Sequence, residues 1–445
     1  MSLPFTTLAT AQPMRVASDP LRAAAVTAFP WPPPPKRPLT VAPKAVTALL
    51  PIAPWVDMQV RPAVALGRLG VVTTPPGGSP TFRVARRWAW VHYCWAFGPP
   101  AAGQPLRLSG PAAALTLHHR QRLSEDLGIA VGLEAAIRYL RVGQPAGTTV
   151  KAVDVDDALD ALAGGLTGGQ LIQRTPGTRM RPDYLLIRRC PPGFLQEIYA
   201  LECKGTRDNE TPELTLKKAA AQVRGVQVGP APGGAAAAPV APPGLIAAST
   251  INDQRIRVEL FDPEGDERWT GDPAPRETDR RDQAGLVEVL SDGAVRVSEP
   301  ARFRRLLADV IEARLLTIAG RRRQAAERLG RVADDDRDDG PPDRLSDTEL
   351  GEFEGARLRL PLDAGDVVEV FLGAKREIVE AIAADDEDAV ARASETWQAT
   401  NAARRSADEP DDDAVVQSDP DGGTLRVYYD DGTVFEARAA RAVGR

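Results

Sequence analysis

Two short apolar runs separated by a proline-rich break constrain the fold of this chain more than any other feature. Between Tyr184 and Arg189 the residues are mostly aliphatic, residues 191–193 read Pro-Pro-Gly, and residues 198–203 are apolar again. Runs of this length that are bounded by breaking residues are typical of hairpins. The pattern therefore predicts two antiparallel strands, and it places three ionisable residues near their ends: Asp183, Glu202 and Lys204.

The alternation of side chains along a strand predicts that these three groups converge. Residues two apart face the same side of a sheet, so Glu202 and Lys204 share one face while Cys203 points to the other. If the hairpin turns near Gly193, Asp183 lies opposite the part of the second strand that carries the other two charges. We therefore expect two carboxylates and one amine at one end of a sheet.

Such a group of charges suggests a metal site. Two adjacent carboxylates repel each other, and a divalent cation between them relieves the repulsion. Oxygen ligands favour a hard ion such as Mg²⁺, with Mn²⁺ as a substitute, and substrate phosphate usually completes its shell. A neighbouring lysine orients or deprotonates water, or neutralises charge on a phosphate. The residues therefore predict metal-assisted hydrolysis of phosphodiester bonds.

The same residues resemble a known motif. Pro182-Asp183, followed after eighteen residues by Glu202-Cys203-Lys204, is similar to the PD-(D/E)XK pattern of restriction-endonuclease-like nucleases. The resemblance implies an α/β fold with an αβββαβ core and a mixed sheet. It also implies that Asp183 and Glu202 hold Mg²⁺, that the backbone carbonyl of Cys203 adds a ligand, and that Lys204 serves the attacking water.

Hydrophobic periodicity predicts the elements that this core requires. The segment Leu117–Leu140 has apolar residues at the 3.6-residue period of an amphipathic helix, and Glu213–Val226 predicts a second helix after the motif. Two strand-like runs follow at Gly244–Ile251 and Arg255–Phe261. The resemblance thus extends over about 145 residues, in order as well as in motif.

Auxiliary site residues are implied on both predicted helices. Members of the superfamily often carry a metal-directed glutamate on the first helix, and Glu125 and Glu134 both qualify. An ordinary surface acid is the alternative interpretation of Glu125. Some members carry a catalytic glutamine on the second helix, where Gln222 is similarly placed, but the tyrosine that follows it in that branch is Val226 here.

Basic residues near the motif predict a polyanionic substrate. The whole chain has a net charge of −6, but phosphate binding depends on local charge rather than on the total. We expect nucleic acid, with DNA favoured over RNA, to contact Arg181, Lys217 and Lys218. Arg86 lies in a run of alternating basic and aromatic residues that is either a further contact surface or the core of a small β module.

Composition divides the chain into five regions. The predicted regions are a disordered Pro/Ala-rich lead (1–54), a β-rich accessory module (55–110), the nuclease-like core (111–300), a basic helix (301–332) and acidic linkers with small α/β elements (333–445). The last region ends in a predicted hairpin, whose Asp431-Gly432 suits a two-residue type I′ turn.

Scarce residue types exclude several other classes of protein. The chain has three cysteines and three histidines, which disfavours zinc sites, disulfide frameworks and Ser-His-Asp hydrolases. No apolar run is long enough to span a membrane, and no signal peptide is indicated. We therefore expect a cytoplasmic protein that has no membrane partner.

Three functions remain open from the sequence alone. The first is a Mg²⁺-dependent nuclease, for which the resemblance suggests a role in bacterial restriction or antiphage defence. The second is a catalytically silent nucleic-acid-binding or scaffolding protein on the same fold. The third is an effector subunit that needs a protein partner or a homodimer for activation. The intact set of Asp183, Glu202 and Lys204 favours the first.

Overall fold

The computed structural model groups the chain into two compact units. The first contains Met1–Pro13, Gln59–Ala114 and Ala308–Arg445, and the second contains Met14–Met58 and Leu115–Leu307. The structure describes residues 5–31, 43–49, 56–73, 92–101, 103–145, 148–163, 172–175, 178–190, 195–228, 241–263, 288–289, 295–297, 301–329, 342–361, 366–405, 414–419 and 423–441.

The described residues form both helices and strands. The helices are α1 (Phe5–Ala9), α2 (Pro20–Ala28), α3 (Pro62–Val72), α4 (Gly110–Ala113), α5 (Leu117–Arg141), α6 (Val155–Ala163), α7 (Glu213–Gln222), α8 (Ala301–Ile318), α9 (Arg322–Arg328), α10 (Arg376–Ala383) and α11 (Glu387–Arg404). The strands are β1 (Gln12–Ala17), β2 (Val46–Ala48), β3 (Val56–Val60), β4 (Thr149–Asp154), β5 (Ile172–Arg174), β6 (Tyr184–Cys190), β7 (Leu195–Thr206), β8 (Val226–Val228), β9 (Gly244–Ile251), β10 (Ile256–Pro263), β11 (Glu288–Val289), β12 (Val295–Val297), β13 (Asp343–Asp347), β14 (Gly351–Pro361), β15 (Asp366–Lys375), β16 (Ala414–Ser418), β17 (Thr424–Tyr429) and β18 (Thr433–Arg441).

The second unit is built on a mixed sheet, as the sequence predicts. Its main path runs β11-β12-β7-β9-β10-β1-β3, and off this path β6 pairs with β7, β4 with β6 and β2 with β10. The strands β6 and β7 form the predicted antiparallel hairpin, β9 runs parallel to β7, and β10 returns antiparallel to β9. Every residue of β9 is buried, which explains its continuous apolar sequence. The predicted strands at β9 and β10 and the predicted helix at α5 are confirmed.

Glycines allow α5 to pack unusually close to the hairpin strand β7. A Cβ atom at Gly205 would lie 1.8 Å from the carbonyl oxygen of Ser124, and one at Gly128 would lie 2.6 Å from the Cα of Gly205. Neither side chain could be accommodated without displacing backbone. The two glycines therefore fix the position of α5 across the end of β7, beside Lys204.

The prediction of a disordered lead was wrong for its described part. The strand β1 pairs in parallel with β10, and Met14 and Val16 on it are buried. The following helix α2 packs Ala23 and Val26 into the same apolar cluster as Phe261. Alanine and proline are so frequent in this segment that they conceal the short alternation of buried residues. Residues 32–42, which contain the polyproline run, lie outside the described part.

The prediction of a β-rich module over 55–110 was also wrong where the structure describes that segment. Only β3 is a strand, and Pro62–Val72 forms the helix α3 with proline at its first turn. Proline is favoured there because the first N–H groups of a helix have no intrahelical partner. The basic and aromatic run that includes Arg86 falls within residues 74–91 and lies outside the described residues.

The predicted single basic helix is two helices. Gly320 adopts a φ of +87° after α8, and the N–H of Arg321 donates to the carbonyl of Leu316. This pattern is a Schellman motif, which ends a helix at glycine. In the first unit Arg321 pairs with Glu354 at 2.7 Å and Arg328 pairs with Glu312, so these arginines bind carboxylates of the chain itself.

The C-terminal region is more ordered than the prediction of linkers with small elements. Six antiparallel strands form one sheet in the order β13-β14-β15-β18-β17-β16. The helix α11 packs Trp397 against Phe353 of this sheet, with ring centroids 5.6 Å apart. The segments that connect these strands are rich in acidic residues, so the composition of the region does not indicate its apolar strands.

The terminal hairpin is confirmed, but its predicted turn type is wrong. The strands β17 and β18 leave residues 430–432 between them, so the loop has one residue more than a type I′ turn. Gly432 has a φ of +88°, whereas Asp431 is not among the described residues with positive φ. A three-residue loop that ends in a left-handed glycine is the second common solution for hairpins.

None of the helices in the described ranges combines the length and the apolar character that a membrane crossing requires.

We predict that Gly205→Ala lowers the free energy of unfolding by roughly 1–3 kcal/mol, because the methyl group must displace the backbone of α5. Gly70→Ala is the matched control, since a Cβ at that helical position meets nothing within 4 Å. Urea unfolding followed by circular dichroism should show a lower midpoint for Gly205→Ala alone. Equal midpoints for the two variants would contradict the close packing of α5.

Candidate functional site

The register of the hairpin brings Asp183 opposite Glu202. Tyr184 pairs with Leu201 in the antiparallel ladder between β6 and β7. Asp183, which precedes Tyr184, therefore lies opposite Glu202, which follows Leu201. The N–H of Asp183 donates to Oε2 of Glu202 at 3.1 Å, and the N–H of Cys203 donates to Oδ2 of Asp183 at 2.9 Å. Each carboxylate is therefore held by the backbone of the strand that carries the other.

Lys204 completes the group that the sequence predicts. Its ammonium forms an ion pair with Oε1 of Glu202 and is three-quarters buried, with 25% of the side chain exposed. Glu202 itself has no exposed surface. Both oxygens of Glu202 thus have a donor on the chain, one from a backbone and one from a lysine.

Burial and mutual repulsion shift the protonation of the two acids. Burial, followed by the nearby charge of Asp183, raises the pKa of Glu202 to about 8. The pKa of Asp183 is also raised, chiefly by burial, although Lys204 opposes the shift. The carboxylate pair therefore holds a proton near neutral pH unless a second positive charge approaches it.

The same carboxylates keep Lys204 charged. Burial lowers the pKa of Lys204, but the charges of Glu202 and Asp183 more than offset this, so that the net shift is upward. An ammonium in this setting is suited to stabilising negative charge. It is poorly suited to removing a proton from water.

A pocket of about 320 Å³ opens beside Asp183. Its walls are Asp154, Val155, Asp156, Arg179, Met180, Arg181, Pro182, Asp183, Tyr184 and Gln222. The amide of Gln222 donates to the backbone carbonyl of Arg181 at 3.3 Å, while the guanidinium of Arg181 pairs with Asp156. Gln222 and Arg181 thus lie beside Asp183 in this pocket.

The two candidate helix acids have different surroundings. Glu134 is fully buried and pairs with Arg138 at 2.5 Å on the same helix. Glu125 is exposed, and its Cα lies 3.2 Å from where a Cβ of Gly205 would be. The backbone of Glu125 is therefore adjacent to the end of β7, whereas the carboxylate of Glu134 has a structural partner.

Cys203 faces away from the charged group. Its Sγ lies 3.3 Å from the position of a Cβ on Gly132, so the thiol packs beneath α5. Burial and the nearby carboxylates raise the pKa of the thiol well above its usual range. Only the backbone carbonyl of Cys203 is a candidate metal ligand, as the resemblance implies.

The predicted nucleic-acid contacts on α7 differ from each other. Lys217 donates to the carbonyl of Thr27 at 2.7 Å and also to that of Phe29, which binds the C-terminal end of α2. Such an end carries unsatisfied carbonyls and partial negative charge, so Lys217 has a structural role there. Lys218 is exposed and remains a candidate contact.

The oxygen ligands at the site fit a hard cation that keeps most of its water. Asp183 Oδ1 receives no hydrogen bond from the described residues, and its carboxylate lines the pocket. Within the described ranges no group of three or more His, Cys, Asp and Glu side chains could hold a metal ion. Two carboxylates with water and substrate oxygens match Mg²⁺ better than ions that require a full protein cage.

Sequence reasoning missed Asp154 and Asp156, two acids that line the pocket next to the site. Asp154 ends β4, where it lies close enough to Asp183 to contribute to its raised pKa, and its Oδ1 accepts the N–H groups of Asp156 and Asp157 at the start of α6. An aspartate immediately before a helical pattern is a capping signal, and Asp154 stands directly before α6. That signal at Asp154 would have located both the strand and the helix.

No family model, curated protein or solved structure matches this chain.

We predict that the protein in EDTA loses on the order of 4 kcal/mol of stability as the pH rises from about 5 to 9. A carboxyl whose pKa is raised by folding binds its proton more tightly in the folded state, so its contribution is complete at low pH and is lost as the pH passes through about 8. Glu202→Gln should flatten this part of the profile of melting temperature against pH in EDTA. Glu125→Gln, at an exposed position, should leave the wild-type profile unchanged. A wild-type profile that rises over this range would contradict the account.

Proposed function

We propose that this protein is a Mg²⁺-dependent nuclease that hydrolyses phosphodiester bonds in DNA. The observation that carries the proposal is the convergence of Asp183, Glu202 and Lys204 on two adjacent strands. The hydrogen bonds of Asp183 and Glu202 to opposing backbones fix this arrangement. Surface ion pairs seldom contribute much to stability, and a fully buried carboxylate beside a second one is expensive to maintain. The cost of burying these charged groups is easier to explain if they catalyse a reaction.

The order of elements around the group supports the PD-(D/E)XK resemblance. The helix α5 precedes β4, β6 and β7, which pair in that order as antiparallel neighbours, and α7 and the parallel strand β9 follow. If α6 and β5, between β4 and β6, and β8, between α7 and β9, are counted as insertions, this order supports the αβββαβ succession that the resemblance implies. Asp183 stands just before β6, and Glu202 and Lys204 lie on β7.

Asp183 and Glu202 are the residues that would hold the metal ion, with the backbone carbonyl of Cys203 as a further ligand. When bound, Mg²⁺ would supply a Lewis acid that stabilises charge on a phosphate and lowers the pKa of water. Asp183 offers an oxygen that no described donor occupies. Glu202 would release its proton on binding, because the cation would lower a pKa that burial and the charge of Asp183 raise.

Lys204 is the group that would stabilise negative charge on the substrate phosphate. In hydrolysis a water oxygen bonds to phosphorus and gives up a proton to solvent, the bond to the leaving oxygen breaks, and that oxygen takes up a proton from solvent. The carboxylates hold Lys204 in its ammonium form, so it can donate hydrogen bonds to phosphate oxygens or to the attacking water. We assign it charge stabilisation and orientation rather than proton abstraction.

A nuclease of this kind would suit bacterial restriction or antiphage defence, a role that rests on the resemblance alone. Arg181 lines the pocket beside Asp183, and Lys218 is exposed on α7, so both can meet the substrate backbone. Arg181 must then exchange its bond to Asp156 for a phosphate. DNA is favoured over RNA, and the cytoplasm remains the expected compartment.

One observation favours a second function. Glu202 already has a cationic partner in Lys204, and the described residues supply no third side-chain ligand. Lys204 could therefore balance the charge of the carboxylates without a metal ion. The protein would then bind nucleic acid without cutting it, or it would be an effector that a partner subunit or a second copy activates. In that case wild type would bind DNA and leave it intact with Mg²⁺ or Mn²⁺.

We predict that Asp183→Asn and Lys204→Ala each lower the cleavage rate by at least about a hundredfold, because each removes a charge that acts on the reacting phosphate. The assay is cleavage of supercoiled plasmid, linear duplex and single strands with Mg²⁺, Mn²⁺ or EDTA. Circular dichroism and DNA binding should be nearly unchanged in both variants.

The control for this experiment is Asp388→Asn, which removes an exposed carboxylate from α11 and should cut like wild type. Lys204→Arg keeps the positive charge and should retain part of the activity. Full cleavage by Asp183→Asn or by Lys204→Ala would show that the site is assigned wrongly. Metal-independent cutting by wild type would refute the role of Mg²⁺.

A further inference from the structure

The pocket beside Asp183 is larger than a phosphate group requires. Its volume is about 320 Å³, and its lining includes Asp183 but neither Glu202 nor Lys204. Pockets for small ligands begin at roughly 300 Å³. The space is therefore sufficient for one nucleotide unit and too small for a base pair.

The walls of this pocket offer two kinds of contact. Met180, Pro182 and Tyr184 contribute apolar surface, against which the flat face of a base can pack. Arg179 and Arg181 contribute guanidinium groups, which suit a phosphate and can also stack on a base. A ligand with a planar apolar part and an anionic part would use both.

Asp156 adds to the wall a carboxylate that can accept hydrogen bonds from a ligand. Its Oδ1 atom is buried and accepts no hydrogen bond within the described part of the chain, while its Oδ2 pairs with Arg181. Arg174 Nη2 lies 3.7 Å from Oδ1, which is too far for a hydrogen bond. The side chain of Asp156 is 44% exposed, so a ligand can reach its carboxylate, but a phosphate diester cannot donate a hydrogen bond to it. The exocyclic amino group of a nucleobase can.

We infer that this pocket takes one unpaired nucleotide of a nucleic-acid strand, so that the site acts on single strands and flaps in preference to continuous duplex. The inference rests on the proposed nuclease function and specifies its substrate. A base within a duplex must leave the stack and lose its pairing before it can enter such a pocket. A single strand or a flap presents the base without that cost.

Binding tests the inference without depending on catalysis. The full chain is titrated, in EDTA and again in Ca²⁺, against one fluorescent oligonucleotide presented as a single strand, as a flap and as a blunt duplex. We expect the single strand and the flap to bind roughly tenfold more tightly than the duplex. Fluorescence anisotropy measures each affinity.

Two tryptophan variants separate the pocket from the remaining surface. Met180→Trp fills the pocket and should lower affinity for the single strand to that for the duplex. Val142→Trp adds the same side chain at an exposed position after α5 and should keep the preference. Asp156→Ala provides a second route if Met180→Trp fails to fold, and it should also weaken binding of the single strand.

The outcomes distinguish this inference from the proposed function. Equal wild-type affinity for the three substrates, or undiminished single-strand binding by folded Met180→Trp, would overturn the nucleotide pocket. A strand preference without any cleavage in Mg²⁺ would support the pocket and refute hydrolysis. Cleavage of duplex and single strand at equal rates would refute the pocket and leave hydrolysis standing.

Discussion

The buried contact between Asp183 and Glu202 is the constraint on which the candidate site depends. Two carboxylates repel each other and lose hydration on burial, yet each is fixed by an N–H group of the opposing strand. Lys204 neutralises one negative charge and leaves the other. The remaining negative charge requires a proton or a cation. Burial, followed by the charge of Asp183, accordingly raises the pKa of Glu202 to about 8.

The surrounding fold holds that contact in place from both faces of the sheet. On one face Gly128 and Gly205 let α5 approach β7 closely, and the thiol of Cys203 packs beneath the same helix. The helix α7 follows the motif strand and brings Gln222 to the backbone of Arg181, just before Asp183. The N-terminal segment then supports α7, since the carbonyls that end α2 bind Lys217. A rigid scaffold of this kind is what a preorganised charged site needs.

The parts of the structure that sequence reasoning predicted are those with strong local patterns. The hairpin, α5 and the buried strand β9 follow from apolar runs and breaking residues, and from them the convergence of Asp183, Glu202 and Lys204 follows by counting along the strands. The strand β1 was not predictable in the same way, because its parallel pairing with β10 joins residues more than two hundred positions apart. The capping of α2 by Lys217 is likewise a tertiary contact. The pocket beside Asp183 is lined by Asp156 and Met180, which belong to different segments of the chain. No local sequence pattern indicates that these segments meet.

The measurement that tests the central claim most directly is binding of Mn²⁺ to the protein without substrate, followed by electron paramagnetic resonance. Wild type should bind the ion, and Asp183→Asn should lose that binding, since Asp183 offers the oxygen that no described donor occupies. Glu134→Gln is the control, because its buried carboxylate has Arg138 as a partner and should not contribute. Equal binding of Mn²⁺ by wild type and Asp183→Asn would contradict the account, and so would no binding by either.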